Sequence, residues 1–171
     1  STNLSYRSDR PSETAAATAI QASLAKVGIK VTLKGFPSGS YYTNFAGAPA
    51  YVHSHDIGIS MGGWFPDWPN GFGFLDSLVD GATIVSTGNT NIAELNDSKI
   101  NNMFAQSAKT TGAARDALWG QIDKQAMADA AILPMVYAKA LFYRPTSLTN
   151  VYVWDAYGEY NASVLGVKSG A

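Results

Sequence analysis

The sequence contains no cysteine. Disulfides, thiolate metal sites and cysteine nucleophiles are therefore excluded, and the absence fits an exported bacterial protein. Histidine occurs only twice, so imidazole chemistry is confined to one short neighbourhood, His53 and His55. Charge is scarce at 15% of residues and nearly balanced, with 12 Lys and Arg against 13 Asp and Glu for a formal charge of -1. No basic face stands out, which argues against nucleic acid as a partner. No apolar run approaches the roughly 20 residues that cross a bilayer, and no secretory signal pattern is present. What remains is a chain of 171 residues, 46% hydrophobic, long enough to bury a core and suited to one domain or one lobe of something larger. It opens without an initiator methionine, directly on the strand-like "LSYRS", and reads as a piece cut from a longer protein.

Punctuation along the chain predicts an alternating α/β unit. Leu4 and Tyr6 suggest a short strand. Asp9 or Ser12 is then placed to cap a helix, with Pro11 tolerated in its first turn and Glu13 suited to the positive helix end. Ala17, Ile20, Leu24 and Val27 repeat at helical spacing, and Gly28 sits where a left-handed stop belongs. Ile29, Val31 and Leu33 alternate with Lys30, Thr32 and Lys34, the pattern of a half-buried strand. "SYYTNFAG" suggests a short helix, "HDIGISMGG" a buried strand ending in glycines, and residues 72–78 a further short helix. "GATIVSTGNTN" has no period and reads as irregular surface. Two helices follow. One is capped by Asn96 or Asp97, with Ile100, Met103, Phe104, Ser107 and Ala108 on one face; the other covers residues 112–129 with Ala114, Leu118, Ile122 and Gln125 inward. "AILPMVYAKALFYRP" and the aromatic "VYVWDAYGEY" read as strands. The expected architecture is a mixed sheet built from residues 29–33 and 57–59, carrying the helix over residues 9–27 and covered by the helices after Asn96.

Catalytic patterns are incomplete. Gly58, Ser60 and Gly62 match G-x-S-x-G, the nucleophile elbow of serine hydrolases. That elbow leads into a helix, whereas Gly63, Pro66 and Pro69 follow here, and both histidines precede Ser60 rather than follow it. His53 and His55 beside Asp56 would share a face on a strand and could meet one metal, yet no further Cys or His completes a set of four ligands. Gly71 and Gly73 lack the third glycine of a dinucleotide fingerprint, and Asp67, Asp76 and Asp80 form no obvious carboxylate pair. No enzyme activity, metal or cofactor is expected.

The stretch "GWFPDWPNGFGFL", residues 63–75, sets one aspartate among two tryptophans, three phenylalanines and two prolines. Large aromatics usually enter a core and aspartate usually faces water, so the combination suggests a cleft where an apolar wall and one fixed charge meet a ligand. This stretch resembles the segment G-W-x-x-D-Y-x-x-P-x-x-F-L of the oligopeptide- and dipeptide-binding proteins of ABC importers, solute-binding protein family 5. "TAIQASLAKVGIKVTL" is similar to that family's helix leading into a strand, "DALWGQIDKQAMADAAILPMVYAKALF" to its long helix and following strand turn, and "LTNVYVWDAYGEY" to its closing strand. The match extends over nearly the whole chain and corresponds to the C-terminal third of the family's two-lobed members. Trp68 replaces the usual tyrosine and Gly71 a common proline, positions that shape the loop more than they touch ligand.

The resemblance implies the C-terminal lobe of a type II periplasmic-binding-protein fold. Residues 1–143 would be the second jaw, and residues 144–171 a closing strand and tail returning towards a missing N-terminal lobe. It implies capture of a peptide-like solute outside the membrane, or in the periplasm, for membrane subunits of an ABC importer, in a parent anchored by lipid. Asp67 would pair with the ligand's α-ammonium, with Gly63, Trp64 and Phe65 lining the cleft. Phe74 and Leu75 are expected in the core, and the competing role for Asp67 is to cap a turn. The other functional readings are a cell-surface domain binding glycans through its aromatics and a serine hydrolase built on Ser60. A lone jaw would leave apolar surface uncovered, so self-association of the fragment is expected.

Overall fold

The computed structural model describes residues 1–139, 141–154 and 158–168. Residues 155–157 of the expected closing strand and the last three of the tail lie outside them. Strand β1 (Thr2–Arg7) leads into helix α1 (Pro11–Ala25) and strand β2 (Val31–Phe36). A single turn, α2 (Ser38–Ser40), runs into a π-helical turn at Tyr41–Phe45; helix α3 (Pro49–Ser54) and strand β3 (Ile57–Ser60) come next. Beyond the aromatic loop lie α4 (Phe72–Val79), α5 (Ser98–Ser107) and α6 (Gly112–Ala128).

The three strands form one parallel sheet in the order β2-β1-β3, with Leu4 opposite Leu33 on one side and Ile59 on the other. The α/β class is as expected. In β1 the consecutive residues Leu4 and Ser5 are both buried, because a central parallel strand is covered on both faces. Leu4 faces Ala17, with Ile20 and Leu24 packed alongside, so α1 lies on the sheet as its spacing predicts. Ser5 faces a polar layer: its Oγ donates to Ser60 Oγ at 2.9 Å and lies 2.9 Å from Tyr41 Oη. That Tyr41 hydroxyl also donates to the Met61 carbonyl at 2.7 Å, and burial pushes its pKa up to about 12. Ser60 Oγ is thus tied to the Ser5 hydroxyl, and both histidines bond elsewhere, so the hydrolase reading has no geometry to support it.

Several local expectations are corrected. Neither Asp9 nor Ser12 caps α1. Arg10 occupies the cap position without a side-chain bond, Pro11 begins the helix, and the Asp9 carboxylate accepts the Ser38 backbone N–H at 3.0 Å instead. The histidines do not lie on a strand: His53 is in α3 and His55 follows it. His53 Nε2 meets Glu94 at 3.0 Å, while the His55 ring stacks on Tyr51 with centroids 3.8 Å apart. No group of three acidic or histidine side chains able to hold a metal occurs among the described residues.

The later helices do not cover the sheet. Helices α5 and α6 build a second core with α4, from Val79, Ile100, Phe104, Trp119, Ile122 and Ala126. The inward face of α6 is therefore Trp119, Ile122 and Ala126, displaced from the predicted Leu118 register. Asp97 caps α5 by accepting the Lys99 N–H at 2.6 Å. The segment before it is only partly surface, since Asn89 and Asn91 are fully buried and the Asn91 amide donates to the carbonyls of Asp80 and Leu95.

No strand forms among the described residues of 131–145; Leu133, Val136, Tyr137 and Leu141 are each more than 80% exposed. Short antiparallel ladders close the chain: β4 (Leu148–Thr149) pairs with β7 (Gly166–Val167), and β5 (Val153–Trp154) with β6 (Glu159–Tyr160). No helix among the described residues is long and apolar enough to cross a membrane.

Candidate ligand-binding edge of the sheet

Three parallel strands end at the same edge, so the sequence just after each is delivered to one place. β1 ends at Arg7 and leads into the start of α1; after β2 come Tyr41 and Tyr42; after β3, the aromatic loop. The strand order places β2 and β3 on opposite sides of β1, and the loops after β1 and β3 diverge there. In open α/β sheets such a switch point, outside the carboxyl ends of the strands, is where ligands bind.

The floor of this edge is polar and tightly held. Arg7 is 8% exposed, and its guanidinium forms an ion pair with Glu13, whose other carboxylate oxygen accepts the Arg7 backbone N–H at 3.0 Å. The guanidinium carbon lies 5.8 Å from the ring centres of both Tyr41 and Tyr42, in cation–π range. Burial acts to lower the Arg7 pKa, but the Glu13 hydrogen bond and neighbouring groups hold it above the ordinary arginine value.

Gly63 joins this floor to the loop. Its N–H donates to Tyr42 Oη at 3.3 Å, and a Cβ there would stand 3.8 Å from Arg7 Nη2. Trp64 is half-buried, with Nε1 donating to the Gly73 carbonyl at 3.4 Å, whereas Phe65 is 67% exposed. Asp67 is exposed and makes no hydrogen bond or ion pair with any described residue. The side chain that caps backbone here is Asn70, at the start of α4, where its Oδ1 accepts the Phe72 N–H at 2.8 Å. The four residues singled out from the sequence thus lie in one continuous loop segment.

Leu75 packs against the helical core as expected, but Phe74 does not enter it and stays 39% exposed. Sequence reasoning missed Arg7, Glu13, Tyr41 and Tyr42, which the parallel topology brings beneath the loop. Arg7 directly follows the predicted first strand, whereas Glu13 was read only as helix-start charge and Tyr41 and Tyr42 only as part of a short helix. Two depressions lie elsewhere: one of about 470 Å³ bounded by Arg144, Thr149 and Lys168, the other of about 600 Å³ near Thr2, His53 and Gly58. Neither is lined by a residue of the aromatic loop.

The fold is that of the periplasmic binding proteins. Clavulanic acid biosynthesis oligopeptide binding protein 2 superposes with a TM-score of 0.89 and 36% identity, over 97% of this chain and 30% of that protein. The periplasmic binding protein DppA from Helicobacter pylori, solved in complex with the peptide STSA, superposes at 0.62 with 22% identity, over 76% of this chain and 24% of that one. The pheromone receptor PrgZ, whose structure describes its mode of peptide binding, gives 0.65 with 16% identity, over 98% and 30% respectively. No curated protein sequence is significantly similar to the chain. The profile of bacterial extracellular solute-binding proteins, family 5 Middle, matches residues 1–86, half of the chain. The chain belongs to that family, a family of binding proteins. It spans less than a third of the length of the solved relatives.

Proposed function

We propose that this chain is the ligand-gripping jaw of a peptide-binding component of an ABC importer and catalyses no reaction. The observation that carries the reading is Asp67: an unpartnered carboxylate on a proline-braced loop between Phe65 and Trp68, at the carboxyl edge of a parallel sheet. An ammonium leaving water needs a carboxylate partner, because an unpaired buried charge is costly. Asp67 supplies that partner for the α-ammonium of a peptide, while Gly63, Trp64 and Phe65 line the same wall. Relatives described as binding peptides support the choice of solute.

Residues 1–143 form the jaw, and residues 144–171 return towards an N-terminal lobe supplied by the rest of the parent. The exposed apolar run through Leu133, Val136, Tyr137 and Leu141 supports this division, since strand-forming residues without a partner strand fit a surface that another part of the parent covers. The loaded protein, held outside the membrane by a lipid anchor, delivers its solute to membrane subunits of the importer.

Calorimetric titration of the full-length protein with a free peptide and with its N-acetylated form tests the reading. Binding that depends on the free ammonium supports it. Equal affinity for both forms, or affinity for sugars and not for peptides, sinks it.

A further inference from the structure

We propose that Trp119, on α6, is a positioning residue for the Asp67 loop. It fixes where the carboxylate stands without touching the ligand, through a stack seated on Gly71 and Gly73. The proposal rests on Asp67 being the ammonium site.

The first observation is a glycine that its backbone does not require. Gly71 has φ -58° and ψ -31°, ordinary right-handed values open to any residue. What excludes a side chain is space: a Cβ there would lie 2.5 Å from Trp119 Cγ and 2.8 Å from its Cβ. Gly73, in the first turn of α4, is a second and looser seat, where a Cβ would come 3.2 Å from Trp68 Cε2 and 3.3 Å from Cδ2 and would press on the ring without being excluded. Gly71 and Gly73 are therefore each set against one indole.

The second observation is the connection between those indoles. The Trp68 and Phe72 rings lie nearly parallel, 15° apart with centroids at 6.1 Å. Phe72 meets Trp119 at 6.1 Å, and Trp119 meets Phe104 in the helical core at 6.0 Å. Trp68 and Phe72 are 45% and 40% exposed, so little else holds them, whereas Trp119 is only 8% exposed. The ladder leads from a half-wet loop into a rigid core. Asp67 is covalently next to Trp68, between Pro66 and Pro69, so fixing that indole fixes the carboxylate.

The third observation concerns the choice of indole. Trp119 Nε1 is buried with no hydrogen-bond partner among the described residues. A buried donor left unpaired is a cost that phenylalanine would avoid. Gly71 receives the base of the side chain, Trp119 Cβ, Cγ and Cδ1, and it is the reach of the wider ring to Phe72 and Phe104 that an indole supplies. A loop held in its binding geometry before the ligand arrives loses less freedom on binding, which is where Trp119 contributes affinity.

The test uses the full-length protein with Gly71→Ala, Trp119→Phe and Asp67→Asn, each titrated with a free peptide and its N-acetylated form. Gly71→Ala is expected to weaken the free peptide by roughly tenfold through lost preorganisation, and the acetylated peptide by clearly less. Trp119→Phe, the gentler change, should show the same peptide preference and stands alone if Gly71→Ala does not fold. Asp67→Asn added to either should cost less than it costs alone, since a misplaced carboxylate has less to lose. Equal losses for both peptides, no loss at all, or full additivity with Asp67→Asn overturns the positioning role while leaving the Asp67 site intact. If Asp67→Asn alone fails to separate the two peptides, the site itself is wrong and the positioning role falls with it.

Discussion

Glu13 grips Arg7 twice, one carboxylate oxygen on the guanidinium and the other on the backbone N–H at 3.0 Å, so the first turn of α1 is clamped to the end of β1. Both side chains are nearly out of water, at 10% and 15% exposed. Glu13→Gln keeps the shape and strands the guanidinium. Removing one partner of a buried pair costs about 3 kcal/mol or more. Arg7→Met should cost less, because the carboxylate it leaves sits at a helix N-terminus that favours negative charge. Urea denaturation of both variants checks the order; a smaller loss for Glu13→Gln refutes it.

At the proposed site, Asp67→Asn should weaken a free peptide by on the order of 30- to several thousand-fold, the 2–5 kcal/mol expected when one partner of a desolvated charge pair is removed. Much of that is the stranded ammonium, so the N-acetylated peptide should lose far less. Since Asp67 accepts no hydrogen bond from a described residue, thermal stability should hardly change. A marked fall in Tm with proportional losses for both peptides would make Asp67 a scaffold residue.

Asp76, on α4, has its carboxyl pKa raised by burial and by the charge of Asp80. A carboxyl whose folded pKa lies above its unfolded value binds protons more tightly when folded. The native state is therefore penalised at neutral pH and regains stability as pH falls through the folded pKa towards the ordinary aspartate value. Asp76→Asn should raise Tm at pH 7, and the gain should vanish below pH ~4, where both states of the parent are protonated. A gain that persists unchanged at acid pH would assign the effect to packing.

Taken alone, the 171-residue chain should self-associate through residues 133–143, where Leu133, Val136 and Leu141 are exposed at 82%, 84% and 93%. Light scattering should show a dimer or larger species, and replacing these three residues with serine should return the monomer. A monomer before substitution would contradict this.

Where local rules and tertiary packing agree, the sequence was legible. Gly28 at φ +81 ends α1, Asp97 caps α5, and α4 begins at Phe72 as its pattern predicts. Misreadings arose where tertiary partners decide. His53 and His55 alternate like a strand, yet Pro49 starts a six-residue helix too short to show a period. Leu118 and Trp119 are adjacent and both apolar; packing against Phe104 and the space at Gly71 make Trp119 the inward one. Residues 131–145 carry strand-forming side chains, but a strand needs a neighbour to pair with. The aromatic loop was found by composition and resemblance. The Arg7–Glu13 clamp beneath it was not, because six residues across a turn leave no periodic trace.

The strand order also sets a sequence of events during synthesis. Thr2–Arg7 leaves the ribosome ahead of Val31–Phe36 and Ile57–Ser60, yet it lies between them, and those two do not pair with each other. No early hairpin is available, since parallel neighbours need a crossover. After β2 emerges, Leu4 has one bordering strand; the second arrives only with Ile59. The nascent chain therefore stays open along one side of its own centre until Ser60 is made, and its central strand is the last of the three to be fully enclosed.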